Sequence, residues 1–411
     1  MTTPELSFMD PAVQLCPFPA YQAVREAGPV FVDPTTGWYI ITDYELVKRL
    51  TADTTTLSSF TGILMCKQKS DIQDRIDRIY AEEGYPPVPV LVVSDPPDHR
   101  FHRSFVDKAF TGPRVKKMED YLESVVDDMI DKFVDKPEVE FKAELAVIVP
   151  LAVIADQLGL PRADMGKMKF WTDCVIANQD QSNSEERQLS LARGICELHR
   201  YAAARVEEFR RQPAECLLSD FANGVVDGRQ LSMRELAAMV EQVLAGGNDS
   251  SANAISSAMV RLIEQPALQA QLRDRPDLIP AFVEEVLRLD APVQGLFREP
   301  KQDIEIAGVR IPKGSVLVLK WGAANRDPKE FPNPDVIDLQ RTNALRHMTF
   351  GYGAHTCVGN QLARGEARIA LTKLLKRLKN FRYSRGPDSL VRQPHFFAYG
   401  PKELYITFDL I

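Results

Sequence analysis

Phe350-Gly-Tyr-Gly-Ala-His-Thr-Cys-Val-Gly359 surrounds one cysteine, Cys357, with three glycines and two aromatic rings. Gly351 and Gly353 allow a tight turn in which the backbone approaches something flat and bulky. Residues Val358 to Phe381 then show a helical pattern with one apolar face, so Cys357 lies just before or inside a helix N-terminus. The amide donors and the positive dipole end there favour a thiolate, which is a soft ligand for iron. A buried cysteine in a turn is the alternative for Cys357 taken alone.

The full pattern, Phe-x-x-Gly-x-His-x-Cys-x-Gly, closely resembles the haem-binding loop of the cytochrome P450 superfamily. The resemblance implies that Cys357 is the metal ligand, bound to the iron of haem b. It also implies that Phe350, His355 and Gly359 contact the cofactor. The fold expected from it is mainly α, a helical bundle around haem with a small β-sheet region, with residues 1–411 as a single domain.

Composition and charge exclude several other classes of protein. The chain has 411 residues, 45% of them hydrophobic, which is enough for a large core. Its formal net charge of −7 gives no support for nucleic-acid binding. Its six scattered cysteines contain no Cys-x-x-Cys pair, so neither a zinc site nor a disulfide framework is indicated. The N-terminus lacks a signal-peptide core and the longest apolar run is too short for a bilayer, so we expect a cytoplasmic protein without a membrane partner.

A second motif, Asp95-Pro-Pro-Asp-His-Arg-Phe-His-Arg103, predicts a helix start. His99 and Arg103 are four residues apart on one helical face, where two donors suit a dianionic partner. A capped surface helix with solvated charges is the alternative. The motif resembles the family's Asp-Pro-Pro-x-His-x-x-x-Arg, which implies that His99 and Arg103 bind the haem propionates. Arg298 matches another propionate-binding arginine of the family.

Residues 232–264 predict one long helix with two internal glycines, Gly246 and Gly247. Glycines inside a helix cost stability, so they indicate that another group approaches the backbone. Asp249 and Ser250 supply an acid and an alcohol that could deliver protons to a bound ligand. Simple helix packing on the glycine pair is the alternative. The segment resembles the family's distal helix, Gly-Gly-x-Asp-Thr, with Ser250 replacing threonine; this implies catalytic roles for Asp249 and Ser250 and a cofactor contact at Gly246.

Glu285 and Arg288 are three residues apart on a predicted helix and can pair. Their motif resembles the family's Glu-x-x-Arg, whose third member corresponds to Arg341 in Pro-Asp-Val-Ile-Asp-Leu-Gln-Arg. The resemblance implies a buried structural network that helps to hold the haem loop.

Substrate-pocket residues are indicated only by apolar character and by resemblance. The family usually places the region around residues 60–93 over its substrate, and residues 394–398 predict a hairpin tip that enters the pocket. Several of the candidates could equally be plain core. They are Phe60, Leu64, Val293, Gln294, Leu296 and Phe397.

Together the motifs imply a bacterial-type monooxygenase that inserts one oxygen atom from O2 into an apolar small organic substrate. No flavin or dinucleotide motif occurs in the sequence. Electrons are therefore expected from NAD(P)H through an external ferredoxin reductase and an iron-sulfur ferredoxin, with the chain acting as a monomer. Two alternatives remain: a haem enzyme that uses peroxide directly, which Asp249 and Ser250 argue against, and a non-catalytic haem sensor or electron carrier.

Overall fold

The computed structural model describes residues 6–61, 72–179 and 183–411. The chain divides into two compact units. Unit 1 contains Met1–Leu57, Val115–Val149 and Ser250–Ile411, and unit 2 contains Ser58–Arg114 and Pro150–Asp249. The division into units does not test the prediction that residues 1–411 form a single domain, which stays a prediction.

Helices form most of the described chain, as the sequence predicts. None of the helices in the described ranges is both long and apolar enough to cross a membrane. In chain order they are α1 (Pro11–Leu15), α2 (Phe18–Ala27), α3 (Tyr44–Ala52), α4 (Gln73–Glu83), α5 (Asp98–Val106), α6 (Gly112–Lys117), α7 (Glu119–Phe133), α8 (Ile148–Leu158), α9 (Met165–Ala177), α10 (Glu185–Arg211), α11 (Leu217–Asn223), α12 (Met233–Glu264), α13 (Pro266–Asp274), α14 (Ile279–Leu289), α15 (Trp321–Ala324) and α16 (Asn360–Arg377).

The strands are short. They are β1 (Val30–Val32), β2 (Tyr39–Ile41), β3 (Leu57–Ser58), β4 (Val139–Glu140), β5 (Leu296–Pro300), β6 (Ile304–Ile306), β7 (Val309–Ile311), β8 (Leu317–Leu319), β9 (Leu378–Tyr383), β10 (Val391–Arg392), β11 (Pro401–Glu403) and β12 (Tyr405–Leu410). In unit 1, β8 pairs parallel with β2 and antiparallel with β5, so this small sheet joins segments distant in sequence. Antiparallel pairing also links β10 to β11 and β9 to β12.

The predicted helix Val358–Phe381 is wrong at its C-terminal end. α16 ends at Arg377, and Leu378 takes extended backbone angles, φ −130° and ψ 152°. Leu378 then pairs with Leu410, so the segment becomes β9 beside the C-terminal strand β12. This pairing gives backbone groups partners that a longer helix would have supplied internally.

One hydrophobic cluster of unit 1 positions the loop of residues 350–359, here called the cysteine loop. Tyr44 and Val47 of α3 pack in it with Leu319 of β8, and with Trp321 and Met348 from the segments that precede the loop. Val47 is 0% exposed. Full burial of one such side chain contributes roughly 1.5–3 kcal/mol. The cysteine loop is therefore attached to a well-packed part of the core.

A separate cluster forms the core of unit 2. Ile76, Ile79 and Tyr80 of α4 pack with residues of α9 and α10, among them Val175 and Leu191. Apolar residues at this helical spacing form the face by which each amphipathic helix packs into a core.

Candidate active site

Cys357 lies three residues before the first residue of α16, Asn360, and its side chain is exposed. The Cys357 amide donates to the Phe350 carbonyl at 2.8 Å, and this bond closes the loop. Asn360 Nδ2 donates to the Cys357 carbonyl at 2.7 Å and ties the loop to the helix. The thiol therefore stands at the positive end of the α16 dipole, where a thiolate is favoured.

Glycines shape this loop for two different reasons. Gly351 and Gly353 have φ of +69° and +77°, a region that side chains rarely adopt. A Cβ at Gly353 would also lie 3.0 Å from Cα of Ala52, so the loop can approach α3 only with glycine there. At Gly359 the nearest atom to an added Cβ is Sγ of Cys357, at 4.0 Å. A side chain at position 359 would therefore begin in ordinary van der Waals contact with the thiol.

Two further residues from the predicted cofactor set belong to unit 1. Arg298 of β5 is 3% exposed; its Nη1 donates to the Phe297 carbonyl at 2.8 Å and its Nη2 to the Thr51 carbonyl at 3.4 Å. His355 ends a short 3-10 turn, Gly353–His355, and is half-buried. A soft thiol and a buried guanidinium are features that fit a thiolate-ligated haem with anionic side arms.

The structure brings Glu285, Arg288 and Arg341 together. Glu285 and Arg288 are 0% exposed, and Arg288 donates from Nε and Nη2 to the two carboxylate oxygens at 2.7 and 2.9 Å. Nε of Arg341 lies 3.1 Å from both oxygens of the same carboxylate. Burial acts to raise the pKa of Glu285, but the two arginines outweigh it and lower that pKa below its usual value.

Glu284 is a supporting residue that the sequence analysis does not include, because the three-residue spacing to Arg288 favours Glu285. Its Oε1 accepts from Nε of Arg364 in α16 at 2.6 Å, and its Oε2 lies 3.0 Å from Nε2 of His347. Arg364 in turn lies over the ring of Phe350, 4.4 Å from the centroid. The adjacent acids of α14 therefore face different partners, and only Glu284 connects to the first residue of the cysteine loop.

Gly246, Gly247, Asp249 and Ser250 all lie within α12, which continues through the glycine pair. A Cβ at Gly247 would come within 2.7 Å of the Ile154 side chain, so close packing requires that glycine. At Gly246, which is exposed, a Cβ would meet nothing within 4 Å. Helix packing therefore accounts for Gly247 and leaves Gly246 unexplained. Asp249 and Ser250 are half-buried.

His99 and Arg103 lie on α5 of unit 2. His99 is 4% exposed, and burial, followed by the charges of Arg103 and His102, lowers its pKa to about 4. Nε of Arg103 donates to Oδ1 of Asp107 at 2.8 Å. His99 is therefore neutral at neutral pH in this structure, and Arg103 already has one carboxylate partner.

The predicted helix start at Asp95 needs correction. α5 begins at Asp98, and the Asp95 carboxylate reaches back to accept from the Ser58 hydroxyl at 2.7 Å and the Ser59 amide at 2.8 Å. Only the Asp95 carbonyl joins the helix, accepting from the His99 amide at 2.9 Å. Asp95 thus fastens a neighbouring loop instead of capping α5.

The substrate candidates divide into three groups. Val293 and Leu296 are half-buried against the unit 1 cluster, and Phe397 is half-buried in the segment between β10 and β11. Phe60 is 43% exposed. Leu64 lies outside the described residues.

Gln294 differs from the other substrate candidates in its burial. It is 2% exposed, its Oε1 accepts from the Tyr21 hydroxyl at 2.7 Å, and its Nε2 donates to the Ala291 carbonyl at 2.6 Å. Its amide is thus buried and hydrogen-bonded in unit 1, and a role for Gln294 toward substrate stays a prediction.

Comparison with known proteins identifies the family to which the chain is similar. Residues 190–408 match the family model described as Cytochrome P450. The chain is 34% identical over 362 residues, 87% of this chain and 86% of the relative, to a putative cytochrome P450, YjiB, of Bacillus subtilis. It is 30% identical, over 95% of this chain and 93% of the relative, to the vitamin D(3) 25-hydroxylase of Pseudonocardia autotrophica.

A solved structure agrees with these relatives. CYP109E1 from Bacillus megaterium, in complex with testosterone, superposes with a TM-score of 0.84 at 29% identity, covering 96% of this chain and 98% of that one. A mainly helical fold with small sheets and a glycine-flanked cysteine ahead of a helix are typical of haem-thiolate enzymes. The chain belongs to the cytochrome P450 family. It is accordingly a monooxygenase of bacterial type, in a family that uses haem and O2.

Proposed function

We propose that this enzyme inserts one oxygen atom from O2 into an apolar small organic substrate. Electrons reach it from NAD(P)H through an external ferredoxin reductase and ferredoxin. The observation that carries the proposal is the placement of Cys357, an exposed thiol at the N-terminal end of α16 in a loop closed by the Phe350 carbonyl. A helix N-terminus favours the thiolate form of a cysteine beside it, and the thiolate is the form that ligates iron.

Cys357 would ligate the iron of haem b, Phe350, His355 and Gly359 would contact the cofactor, and Arg298 would be a partner for a propionate. When bound, haem supplies the activation of dioxygen, which side chains cannot provide. The roles of His99, Arg103 and Gly246 in holding the cofactor stay predictions.

Asp249 and Ser250 are the proposed proton-delivery pair. A carboxylate can relay a proton, and a hydroxyl can donate a hydrogen bond to a reacting atom. Consecutive positions in one helix fix the spacing of the two groups. This pair distinguishes a dioxygen-using enzyme from one that takes peroxide directly.

An apolar substrate is supported by the side chains of unit 1 that stay half-buried. Val293, Leu296 and Phe397 carry no polar group that could recognise a charged molecule, so they fit hydrocarbon surface. The names of two similar proteins mention vitamin D(3) and testosterone, and both compounds are largely hydrocarbon.

The test uses the haem-loaded enzyme and a Cys357→His variant. The wild type should give the carbon monoxide spectrum of a thiolate-ligated haem, and should turn over an apolar substrate with NADH, ferredoxin reductase and ferredoxin. The variant should keep some haem but lose both properties. A variant that retained the thiolate spectrum would overturn the ligand assignment. Turnover with hydrogen peroxide but not with O2 and reductant would favour the peroxide-using alternative.

A further inference from the structure

Lys320 is an unusual residue in the core of unit 1. It directly follows β8 and is 1% exposed, whereas lysine is rarely buried without a specific partner. Its amide donates to the Ile41 carbonyl at 3.0 Å, which continues the pairing of β8 with β2. Its side chain leaves the sheet, and Nζ donates to the Phe396 carbonyl at 2.9 Å.

Aromatic rings surround this amine. Nζ lies 3.8 Å from the ring centroid of Phe396 and 5.0 Å from that of Phe8. The Phe396 ring stacks on Phe297 at 5.7 Å and meets the edge of Trp38 at 5.1 Å. Ring faces attract a cation, and rings packed in this way exclude water from it.

Asp33 is the charged group that faces Lys320. Its carboxylate accepts from the Phe8 amide at 2.7 Å, from the Ser7 hydroxyl at 3.0 Å and from the Thr35 amide at 3.0 Å. Burial lowers the pKa of Lys320 to about 7, and Asp33 opposes this effect only in part. The amine therefore changes charge close to neutral pH.

The carbonyl that Lys320 holds belongs to the segment between β10 and β11, residues 393–400, here called the hairpin. On its other side the hairpin lies along residues 292–294: the Gln294 amide donates to the Phe397 carbonyl at 2.6 Å, and the Tyr399 amide to the Pro292 carbonyl at 2.9 Å. Lys320 is thus a third attachment of the hairpin, and it comes from the sheet.

We propose that Lys320 is a positioning residue for substrate binding, which holds the hairpin through the Phe396 carbonyl and so sets Phe397 against Val293 and Leu296. The inference rests on the proposed function, in which those three side chains contact the apolar substrate. Both charge states of the amine can donate to the carbonyl, but only the ammonium is attracted by the ring of Phe396. The hairpin is therefore held more firmly below neutral pH than above it.

The experiment measures the dissociation constants of two haem ligands, imidazole and 4-phenylimidazole, on the haem-loaded enzyme. The two ligands differ by one apolar ring. Lys320→Met keeps side-chain length and removes the donor and the charge. The dissociation constant for 4-phenylimidazole should rise about three- to tenfold in this variant, the effect of losing roughly one net hydrogen bond, while that for imidazole stays within about twofold. Lys301→Met is the matched control, because Lys301 also donates to a main-chain carbonyl, that of Thr54, but at the surface.

The pH dependence separates positioning from general stability. From about pH 6 to about pH 8, 4-phenylimidazole should bind the wild type progressively more weakly relative to Lys320→Met, because the wild type alone loses the charge. Lys320→Gln keeps a donor without a titrating charge, so its affinity relative to Lys320→Met should stay constant with pH. If Lys320→Met fails to retain haem, the wild type is compared with Lys320→Gln instead, and it should bind 4-phenylimidazole progressively more weakly relative to that variant as the pH rises.

Phe397→Ala distinguishes failure of this proposal from failure of the pocket assignment. If Phe397→Ala weakens 4-phenylimidazole binding but Lys320→Met and Lys320→Gln match the wild type at every pH, the positioning role is overturned and the pocket assignment stands. If Phe397→Ala binds 4-phenylimidazole as the wild type does, the pocket assignment falls and the positioning role falls with it. Weaker binding in Phe397→Ala and Lys320→Met, with the wild-type pH dependence lost in both Lys320 variants, supports the proposal.

Discussion

The guanidinium of Arg364 lies 4.4 Å from the ring centroid of Phe350 while its Nε and Nη2 donate to the two oxygens of Glu284, at 2.6 and 3.1 Å. One side chain of α16 thus connects the cysteine loop to α14. Phe350 also supplies the carbonyl that accepts from the Cys357 amide. The route from Glu284 to the backbone of the proposed metal ligand therefore passes through two residues.

Glu284→Gln should loosen this connection. The amide keeps the shape but loses the charge that orients Arg364, and a hydrogen bond between charged groups is worth about 1.5–3 kcal/mol. Haem should transfer faster from the variant to an apo-globin acceptor, and the unfolding midpoint should fall. Glu119→Gln is the control: Glu119 of α7 pairs at 2.5 Å with Arg368, which lies on the same helix as Arg364, and this half-exposed pair is worth less than about 1 kcal/mol. Equal haem transfer from the two variants would contradict the role of Glu284.

Glu285→Gln tests the fully buried network. It removes the only carboxylate shared by Arg288 and Arg341 among the bonds described above, so two guanidinium groups lose their counter-charge. Breaking a buried pair from one side costs about 3–5 kcal/mol. Denaturant unfolding should show a loss of that size. A loss below about 1 kcal/mol would mean that the carbonyls bonded to Arg288, those of Asn325, Pro334 and Val336, are sufficient by themselves.

Glu366 of α16 should make stability depend on pH. It is 1% exposed, neither carboxyl oxygen has a hydrogen-bond partner among the described residues, and burial raises its pKa to about 8, with the nearby Ser251 hydroxyl acting in the opposite direction. The pKa is higher in the folded than in the unfolded state. The contribution of Glu366 to the free energy of unfolding is therefore complete below about pH 4.5 and is lost as the pH rises toward about 8.

Glu366→Gln removes this titration while keeping side-chain shape. The free energy of unfolding of the wild type, minus that of the variant, should fall between about pH 5 and about pH 8, by at most about 5 kcal/mol. Denaturant titrations at each pH give the difference directly. A constant difference over this range would show that Glu366 titrates normally, which would require hydration of the carboxyl group.

The sequence predicts the cysteine loop and α12 well because both depend on local chemistry. The glycine positions, the cysteine and the following apolar face lie within a few turns of chain, and 232–264 matches the observed Met233–Glu264. The end of α16 could not be predicted in this way. Leu378–Tyr383 has a helix-compatible pattern, and its partner β12 comes more than twenty residues later.

Side-chain burial could not be predicted where it depends on distant contacts. The amide of Gln294 is bonded to Tyr21, far away in sequence. Lys320 is buried among aromatic rings that come from distant segments, and only the fold shows this. No local sequence pattern indicates the hydrogen bond between Gln294 and Tyr21 or the burial of Lys320.

Asp249 and Ser250 give the most specific test of the proposed chemistry. Asp249→Asn keeps the size of the side chain and removes the group that can take up and release a proton, so turnover should slow by about 100-fold or more while substrate binding is largely kept. Ser250→Ala removes only a hydroxyl. NADH oxidation should continue in that variant, with more hydrogen peroxide released and less product formed.

Ser250→Thr is the matched control for the hydroxyl, because it restores the residue of the family's pattern and adds one methyl. It should form at least as much product per NADH as the wild type. The quantities to measure are product, peroxide and NADH consumed in the same reaction. Helix α12 is continuous through both positions, so a purely structural pair would alter stability without altering the ratio of product to peroxide. An unchanged ratio in Ser250→Ala, together with an unchanged rate in Asp249→Asn, would therefore exclude proton delivery by these two residues.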